Sequence, residues 1–507
     1  MHDSRSLRFV LERPLRVALG ALLLLAACGG GGGGNGGGGG GGPTPPPGTS
    51  PTPRPSLAPT PVPTPNPERV KLLLAEGETV AGLTVSDIED AGFNNSGAIG
   101  AIVTVRNANG GRAVLLGGAD GDFTPVVTPD SPPEGADMRT LSRVRLLEDG
   151  TSIFESGDGL DTDRLYFVKD GAVQGLAGAP PGPVFPTFRI LGDLAFGLTG
   201  TIGFIGGGDE CETDTSGANP RTLCDIKLFV AQDGVVTEVR DDAITLEGIS
   251  PTQPQVAVTD IGVTFFSIPG SGQAPTLVRY AAGELDTVLT ANESLGDIGR
   301  LIRPQVAAAT SDEDLLLTTT LASDPGPSRP TVIGILSGND FRVLDRERTA
   351  APGGEIVDLR AVGMDEQGRA LYIARIGESG DNDAPKTLRL NDGFTSIDVA
   401  TEHAPLPGTD KTLVRFEAQR INRRGDVAFV AELGRIDGLT TIIEEVRVVV
   451  RLSDGTYLAP VSSARPGDIG TLSDFEIAGF DDQANLLIIA TRDPSQTVLL
   501  LAPPFEP

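Results

Sequence analysis

The feature that most constrains the fold is a series of eight short Pro/Glu/Gly steps, each followed by an apolar segment. Successive glycines of these steps lie 58, 47, 66, 48, 57, 55 and 59 residues apart. A period near 55 residues that runs through most of a chain predicts a repeat architecture. The marker residues are Gly77, Gly135, Gly182, Gly248, Gly296, Gly353, Gly408 and Gly467.

Each repeat contains four candidate β-strands. In the seventh repeat, Val446, Val448, Val450 and Leu452 alternate with polar positions that include Arg447 and Arg451. That alternation has the period of two that is typical of strands. In the sixth repeat the candidates are residues 357–364, 369–376, 386–390 and 394–399, with turns at 365–368 and 391–393.

The two ends of the repeat region indicate a closed ring. After Gly467 there is room for only three strands, at residues 475–478, 485–490 and 497–501, whereas residues 70–75 form a strand with no repeat before it. An N-terminal strand that completes the last sheet explains both observations, and this is how β-propellers close. Residues 68–507 therefore predict an all-β propeller of eight four-stranded blades, with seven blades as the alternative.

One segment carries a recognisable motif. Asn422, Gly425, Ala428 and Phe429 form an Asn-x-x-Gly-x-x-Ala-Phe pattern that resembles the tandem NxxGxxAF-repeat proteins, which are secreted or anchored bacterial proteins of unestablished function. Other repeats keep only part of the pattern. Because Asn and Gly tolerate positive φ and the pattern runs into an apolar segment, the motif indicates a turn and a core strand rather than a catalytic site.

The N-terminus predicts export and lipid attachment. Four arginines precede an apolar run in residues 1–27, which is typical of a signal peptide, and the run is too short to span a bilayer in a mature protein. Leu-Ala-Ala before Cys28 resembles a bacterial lipobox, which implies acylation of Cys28. By similarity to Gram-negative lipoprotein sorting, Gly29 favours the outer membrane, facing the periplasm or the cell surface. An ordinary signal peptide cleaved after Ala27 is the alternative.

Residues 28–67 predict a disordered spacer. A Gly-rich tract is followed by a Pro-rich tract, and neither offers a core to bury. At about 3.1 Å per residue, the Pro-rich tract spans on the order of 75 Å as polyproline II. A Pro-rich ligand for another domain is the alternative interpretation.

The net charge excludes one class of partner. The chain carries 40 basic and 68 acidic side chains, a net charge of −28, and loss of four Arg and two acids with residues 1–27 makes it −30. So negative a domain repels nucleic acid and anionic head groups. Beyond the membrane held by the lipid, a protein or glycan of the envelope is the expected partner, and we expect a monomer.

The loops divide into two sets. The first-to-second and third-to-fourth strand turns are short, with Asp-Gly signals at 170–171, 233–234, 392–393 and 454–455, whereas the second-to-third connections are long and acidic. The long connections are residues 156–163, 206–225 and 377–385. Because binding residues concentrate on loops, these connections predict the binding face.

Three possible sites lie in the long connections. Cys211 and Cys224 flank the longest one, and an oxidising compartment predicts a disulfide between them, since zinc would need further Cys or His ligands. Weak calcium candidates are Asp158, Asp161, Asp163, Asp381 and Asp383. None of these fits an EF-hand loop, so no metal and no cofactor is predicted.

The candidate catalytic groups are few. His403 is the one imidazole of residues 28–507 and lies in a Pro-containing connection, and no nucleophile motif accompanies it. Paired carboxylates at a channel mouth stay possible, whereas the absence of Trp counts against a sugar-stacking site. The favoured function is an anchored interaction module. The alternatives are an envelope hydrolase or lyase and a passive structural protein.

Overall fold

The computed structural model describes residues 70–503, apart from gaps at 107–110, 158–162, 176, 179–190, 215–220, 233, 240–254, 269–275, 291–294, 296–298, 300, 322–328, 379, 382, 408, 438–439 and 465–468. All regular structure in this part of the chain is β. It forms eight sheets, the blades of a propeller. The described residues contain no helix with the length and apolar character that a membrane crossing requires.

Blades 1–4 come from the first half of the chain. Blade 1 contains β2 (Thr79–Val80), β3 (Leu83–Phe93), β4 (Ala98–Val105), β5 (Arg112–Gly118) and β6 (Thr124–Val127). Blade 2 contains β7 (Leu141–Leu146), β8 (Ser152–Gly157), β9 (Asp163–Lys169) and β10 (Ala172–Gly175). Blade 3 contains β12 (Leu191–Phe196), β13 (Ile202–Asp214), β14 (Arg221–Gln232) and β15 (Val235–Val239), with β11 (Ala177–Gly178) parallel to β15. Blade 4 contains β16 (Gln255–Val258), β17 (Thr264–Ile268), β18 (Thr276–Ala281) and β19 (Glu284–Thr290).

Blades 5–8 follow the same plan. Blade 5 contains β20 (Leu301–Ala309), β21 (Leu315–Leu321), β22 (Thr331–Ser337) and β23 (Asp340–Arg346). Blade 6 contains β24 (Ala350–Ala351), β25 (Gly354–Met364), β26 (Ala370–Gly377), β27 (Lys386–Asn391) and β28 (Ser396–Thr401). Blade 7 contains β29 (Thr412–Ile421), β30 (Val427–Asp437), β31 (Thr440–Arg451) and β32 (Tyr457–Ser462). Blade 8 contains β33 (Leu472–Phe480), β34 (Leu486–Arg492), β35 (Gln496–Ala502) and, from the N-terminal end of the domain, β1 (Lys71–Ala75).

Strand β1 closes the ring as the sequence predicts. It pairs antiparallel with β35, from Lys71 opposite Leu501 to Ala75 opposite Val498. Each blade packs against the next in chain order, and the inner strands of blades 8 and 1 pack together. The prediction of eight blades is confirmed, and the seven-blade alternative is wrong.

The core lies between neighbouring blades. Second strands are buried on both faces because a blade stands on each side of them, and β34 begins with five consecutive buried residues. At the closure, Leu74 of β1 packs in one cluster with Ile88 and Ile99 of blade 1 and Leu487 of blade 8. Each such side chain contributes on the order of 2 kcal/mol when it is buried, so blade-to-blade packing stabilises the ring.

Two details of the prediction are wrong. Residues 206–225, predicted as a loop, contain the ends of β13 and β14. Phe394, predicted to start the fourth strand of blade 6, lies in the turn before β28, where it is 90% exposed and stands 5.4 Å from the Arg342 guanidinium. In both cases turn-type residues and strand-type residues occur together, so the local pattern did not locate the strand ends.

Candidate functional site

All eight blades have the same turn between the inner strand and the strand that follows it, which are β3 and β4 in blade 1 and β25 and β26 in blade 6. In each turn the first residue donates its N–H to the carbonyl oxygen four residues on, and the fourth residue donates its N–H to the carbonyl of the first. The fourth residue has a φ between 62° and 89° and is Gly in six of the eight turns, because Gly adopts this left-handed conformation without strain. The first residues are Asn94, Leu147, Gly197, Thr259, Thr310, Asp365, Asn422 and Asp481. We call this end of the ring the turn end.

Where the first residue is Asn, Asp or Thr, its side chain accepts a hydrogen bond from the N–H four residues on, and Asn422 is an example. Its Oδ1 accepts hydrogen bonds from the N–H groups of Arg424 (3.1 Å) and Asp426 (2.9 Å), and its Nδ2 donates to the carbonyl of Asp481 (2.8 Å) in the next blade. Gly425 is the positive-φ residue of the same turn, and Ala428 and Phe429 are fully buried in β30. The motif residues therefore combine a turn, a core strand and a link between blades.

The second residues of these turns form a belt at the turn end. The N–H of Asp482 donates to Oδ1 of Asn95 (2.8 Å), and Nδ2 of Asn95 donates to Oε1 of Glu148 (2.9 Å), which links blades 8, 1 and 2. The N–H of Arg423 donates to Asp482 (3.2 Å), which links blade 7 to blade 8. The belt therefore joins blade 8 to blade 1 through contacts that do not involve β1.

Arg423 extends from this belt across the ring. Its Nε lies 2.6 Å from Oδ2 of Asp260, although the two are not aligned for a hydrogen bond, and 3.8 Å from Glu366; Nη1 lies 3.7 Å from Asp482. Blades 7 and 4 are not neighbours, so the contact with Asp260 must cross the central channel. One guanidinium therefore stands among three carboxyl groups and caps the channel at the turn end.

The carboxyl groups of this cap titrate differently. Burial, followed by a hydrogen bond to Glu366, raises the pKa of Asp260 to about 7. Burial by itself would raise the pKa of Glu366, but hydrogen bonds from Asp260 and Ser311 lower it. The Asp260–Glu366 pair therefore shares a proton near neutral pH, which reduces the charge repulsion within the cap.

Inner strands of four blades line a cavity of about 400 Å³. Its walls are mainly small apolar side chains of blades 3–6, which include Ala195, Val256, Ala257, Val306 and Ala308. On the inner strands of blades 1, 2, 7 and 8, charged residues lie close to one another. Burial and the charge of Arg145 lower the pKa of Arg420 there, while Arg145 lies 3.3 Å from Asp90.

The opposite end of the ring, which we call the arm end, carries a long projecting hairpin. Within the described residues, β12 pairs with β13 as far as Gly206, and β15 pairs with β14 from Leu228 onward. The pairs from Gly207 opposite Ile226 to Asp214 opposite Arg221 continue past these described ends of β12 and β15. At about 3.3 Å per residue this hairpin, the blade 3 arm, is roughly 25 Å long.

The register of the blade 3 arm bears on the predicted disulfide. Cys211 lies directly opposite Cys224 in the ladder. Directly opposed strand positions place two Cα atoms within the range that a disulfide needs, and a ribbon of two strands is marginally stable without support. A bond between the two sulfur atoms remains a prediction, now with a suitable backbone register.

A shorter hairpin projects from blade 7. Strands β30 and β31 pair out to Asp437 and Thr440, beyond the inner strand β29, whose pairing with β30 ends at Gly434. Ile436 and Ile443 are 40% and 47% exposed, and the register places them on one face of this hairpin. Because blades 3 and 7 are four positions apart in a ring of eight, the two hairpins stand on opposite sides of the arm end.

Glu445 anchors the base of the blade 7 hairpin. Its buried carboxylate accepts hydrogen bonds from Arg447 and Ser462, and Nζ of Lys411 lies 2.9 Å away. Burial by itself would raise the pKa of Glu445, but these three donors together lower it to about 2. The carboxylate is therefore ionised throughout the physiological range and holds β29, β31 and β32 together.

The remaining predicted sites are spread around the ring. Asp158 and Asp161 lie outside the described residues, and Asp163 begins β9. Oδ1 of Asp381 accepts the N–H of Asp383 (2.9 Å) in an exposed turn. His403 is exposed in the connection before β29. Within the described ranges, no group of three or more His, Cys, Asp or Glu side chains is arranged to hold a metal ion.

Sequence reasoning missed the cap, which consists of Asp260, Glu366, Arg423 and Asp482. The signal was present, since each of these residues directly follows the first residue of its turn. Only the turn that begins at Asn422 has a complete Asn-x-x-Gly-x-x-Ala-Phe motif, however. In the other repeats, the residue that corresponds to Arg423 can be identified only when the eight turns are aligned by their hydrogen bonds.

Comparison with known proteins finds only remote structural similarities. No protein-family model matches the chain, and no curated protein matches it. Among solved structures it is similar to the Dos1 propeller, with 10% identity over 85% of this chain and 96% of that one and a TM-score of 0.41. It is also similar to the WD40 domain of SCAP from fission yeast (9% identity, 86% and 98% coverage, TM-score 0.39) and to the propeller domain of the trilobed protease from Pyrococcus furiosus (9%, 82% and 95%, 0.37).

Proposed function

We propose that the protein is a lipid-anchored binding module that presents the arm end of its propeller to a protein or glycan partner of the cell envelope. The observation that carries this proposal is the blade 3 arm, in which β13 and β14 continue past the described ends of β12 and β15. Exposed irregular or projecting segments on a rigid scaffold are where binding surfaces concentrate.

The contrast with the turn end supports the choice of face. At the turn end, short turns and the Arg423 cap occupy the axis with contacts within the ring. At the arm end, the side chains of Ile436 and Ile443 in the blade 7 hairpin are exposed. A partner that approaches the arm end meets groups that are not already engaged with the ring.

The anchor follows from the sequence. Acylation of Cys28 would attach the chain to the outer membrane, and residues 29–67 would hold the propeller at a distance from it. Cys28→Ser tests the anchor: we expect the protein to leave the membrane fraction. Persistence of that variant in washed membranes would contradict it.

Affinity capture tests the binding face. Residues 68–507 serve as bait for crosslinking in envelope extract, beside a variant in which Gly-Gly replaces residues 208–223, and a control variant carries Gly-Gly in place of residues 437–440. We expect a partner that the intact domain captures and the first variant loses. Capture that is equal for all three baits would place the binding surface elsewhere, and no capture by any would favour a passive structural role.

A hydrolase or lyase that acts at the channel mouth is the second candidate, and the raised pKa of Asp260 favours it. A carboxyl group with a pKa near 7 suits general acid–base chemistry. The contact with Arg423 argues against it, because this guanidinium already occupies the space between the carboxyl groups. Turnover of envelope glycans or peptides that disappears in Asp260→Asn would establish the enzyme, and turnover that survives this change would exclude Asp260.

A further inference from the structure

Two arginines on inner strands act on each other across the central channel. Arg145 lies on β7 of blade 2, and Arg420 lies on β29 of blade 7. Burial and then the charge of Arg145 lower the pKa of Arg420. Since blades 8 and 1 stand between blades 7 and 2, the charge of Arg145 must act across the channel. Both guanidinium groups therefore lie near the axis of the ring.

The two arginines lie at the level of the apolar cavity. Each is the second residue before the first residue of its turn, and so are Ala195, Ala257 and Ala308, which line the cavity. The pairing of these five residues with the second strands is also equivalent. One level of the channel thus has small apolar side chains on blades 3–6 and a cationic side chain on the blade at each side of them.

Arg420 has no ionic partner among the described residues. Its Nη1 donates to the carbonyl of Gln419 (3.2 Å), and its Nη2 donates to the carbonyl of Ile477 (3.5 Å). Arg145, in contrast, lies 3.3 Å from Oδ2 of Asp90. Solvent reaches Arg420 although burial lowers its pKa, which is the combination expected of a group inside a channel. An anion in the channel can therefore bind this guanidinium.

The charges nearby favour an anion with a single charge. Asp90 and Glu476 lie on the inner strands of blades 1 and 8, and their charges act on Arg420. A phosphate dianion would be repelled twice as strongly by these carboxylates as a monoanion. A carboxylate carries one charge and can accept two parallel N–H bonds from a guanidinium. The head group that fits best is therefore a carboxylate.

The apolar wall restricts the rest of the ligand. The cavity of about 400 Å³ is within the size range of small-molecule sites. Ala307, Ala308 and Ala309 of β20 contribute to its wall, and Ala307 is exposed. Side chains this small leave room for a slender apolar chain along the strand, so an unbranched alkyl chain fits the wall.

We propose that the central channel binds a small amphiphilic carboxylate, with its head group at Arg420 and an unbranched apolar chain along the alanine-rich wall of blades 3–6. This site is separate from the arm end, so the inference does not depend on the proposed binding function. Burial of the chain supplies affinity, and the guanidinium selects the charge of the head group.

Three probes with the same alkyl chain test the chemistry of the site. Octanoate, octylammonium and octyl phosphate are titrated by calorimetry into residues 68–507, which contain every described strand of the ring. We expect saturable binding of octanoate and an affinity lower by about tenfold or more for the other two. Equal binding of octylammonium would overturn the role of the positive charge, and tighter binding of octyl phosphate would overturn the choice of a carboxylate. The absence of saturable octanoate binding would overturn the site.

Arg420→Gln tests the position of the head group and should lower the affinity for octanoate about tenfold. Arg415→Gln is the matched control, because Arg415 lies on the same strand but is 2.6 Å from Glu432. The control should bind octanoate as the parent does. An equal loss in both variants would reduce the effect to overall charge and overturn the assignment to Arg420.

Ala307→Phe tests the apolar wall. Because Ala307 is exposed and lines the cavity, a larger side chain there occupies space in the cavity without disturbing the packing between blades. We expect the affinity for octanoate to fall about tenfold or more, whereas Ala307→Ser should keep it. Undiminished binding by Ala307→Phe would place the alkyl chain elsewhere and overturn the proposal.

Discussion

The two ends of the propeller are built from the same strands, but they differ in what holds them. At the turn end, eight copies of one turn are linked by contacts such as Asp482 to Asn95 and Arg423 to Asp260. At the arm end, β13 and β14 continue past the described ends of their neighbours, β30 and β31 continue past β29, and the ion pair of buried Glu445 with Lys411 anchors the blade 7 hairpin. The turn end therefore adds links between blades, whereas the connections at the arm end differ in length from blade to blade.

The physical reason lies in the geometry of the ring. The turns that join first and second strands lie next to the axis, where all eight blades converge, so each must be short and its polar groups must find partners nearby. Connections between second and third strands lie farther out, so one can lengthen without a clash. The longer connections between strands are therefore found at the arm end.

Removal of residues 69–76 should have the largest effect, because it breaks the ring on which both ends depend. Leu73, Leu74 and Ala75 are buried, and each lost leucine costs on the order of 2 kcal/mol before the exposed edge of β35 is counted. We expect calorimetry to show a fall of roughly 10 °C or more in Tm. Deletion of residues 58–65 is the control and should change nothing. An unchanged Tm after the first deletion would contradict the closure by β1.

Glu445→Gln should destabilise the arm end most. The side chain is 2% exposed, and the change leaves the charges of Lys411 and Arg447 without their buried partner, which costs roughly 3 kcal/mol. Since the folded pKa lies below the unfolded value, this stabilisation is present above about pH 4.5 and is lost as the pH falls towards 2. Urea unfolding at pH 7 and pH 3 measures both effects.

Glu444→Gln is the matched control for Glu445, because Glu444 is 41% exposed and 4.0 Å from Lys411. Loss of the Glu444 charge should lower the free energy of unfolding by less than about 1 kcal/mol. If the two variants unfold at the same urea concentration, the buried ion pair does not anchor the blade 7 hairpin.

Asp260→Asn should change how the stability depends on pH. The folded pKa of Asp260 is raised to about 7, so the native state holds a proton that the unfolded chain releases near pH 4, and this contribution to stability is lost as the pH rises from about 4 to about 7. The Asn variant should not lose stability in this way, and at pH 8 its free energy of unfolding should exceed that of the parent by about 1 kcal/mol. The gain is smaller than the raised pKa of Asp260 alone would give, because the group is partly exposed and interacts with Glu366. Unfolding at pH 5 and pH 8 measures it.

The control for Asp260 is Asp381→Asn in an exposed turn, which should keep the pH dependence of the parent. A parallel pH dependence for Asp260→Asn and the parent would show that the cap does not take up a proton on folding.

Replacement of residues 208–223 by Gly-Gly should have the smallest effect on stability. The described pairing of these residues lies within the blade 3 arm, so Tm should stay within about 2 °C of the parent. A fall as large as that caused by deletion of residues 69–76 would show that the arm supports the ring and would remove the contrast between the two ends.

Much of the fold could be predicted because a strand has a local signature. The period near 55 residues, the alternation at Val446 to Leu452 and the unmatched strand at residues 70–75 are all visible in short windows. The strand ends in residues 206–225 were missed because Gly and acidic residues are also typical of loops. There the pairing of Gly207 with Ile226 and of Cys211 with Cys224 decides the structure.

By itself the sequence determined the number of blades, the closing strand and the turn residues such as Asn422 and Gly425, because these depend on local periodicity and on the backbone preferences of single residues. Only the tertiary structure decided that Arg423 would meet Asp260, Glu366 and Asp482 across the channel, and that the arm of blade 3 would stand opposite the hairpin of blade 7. Those relations arise when the ring closes. Residues that are far apart in the chain then lie close together near the axis of the ring, and no local sequence pattern encodes such contacts.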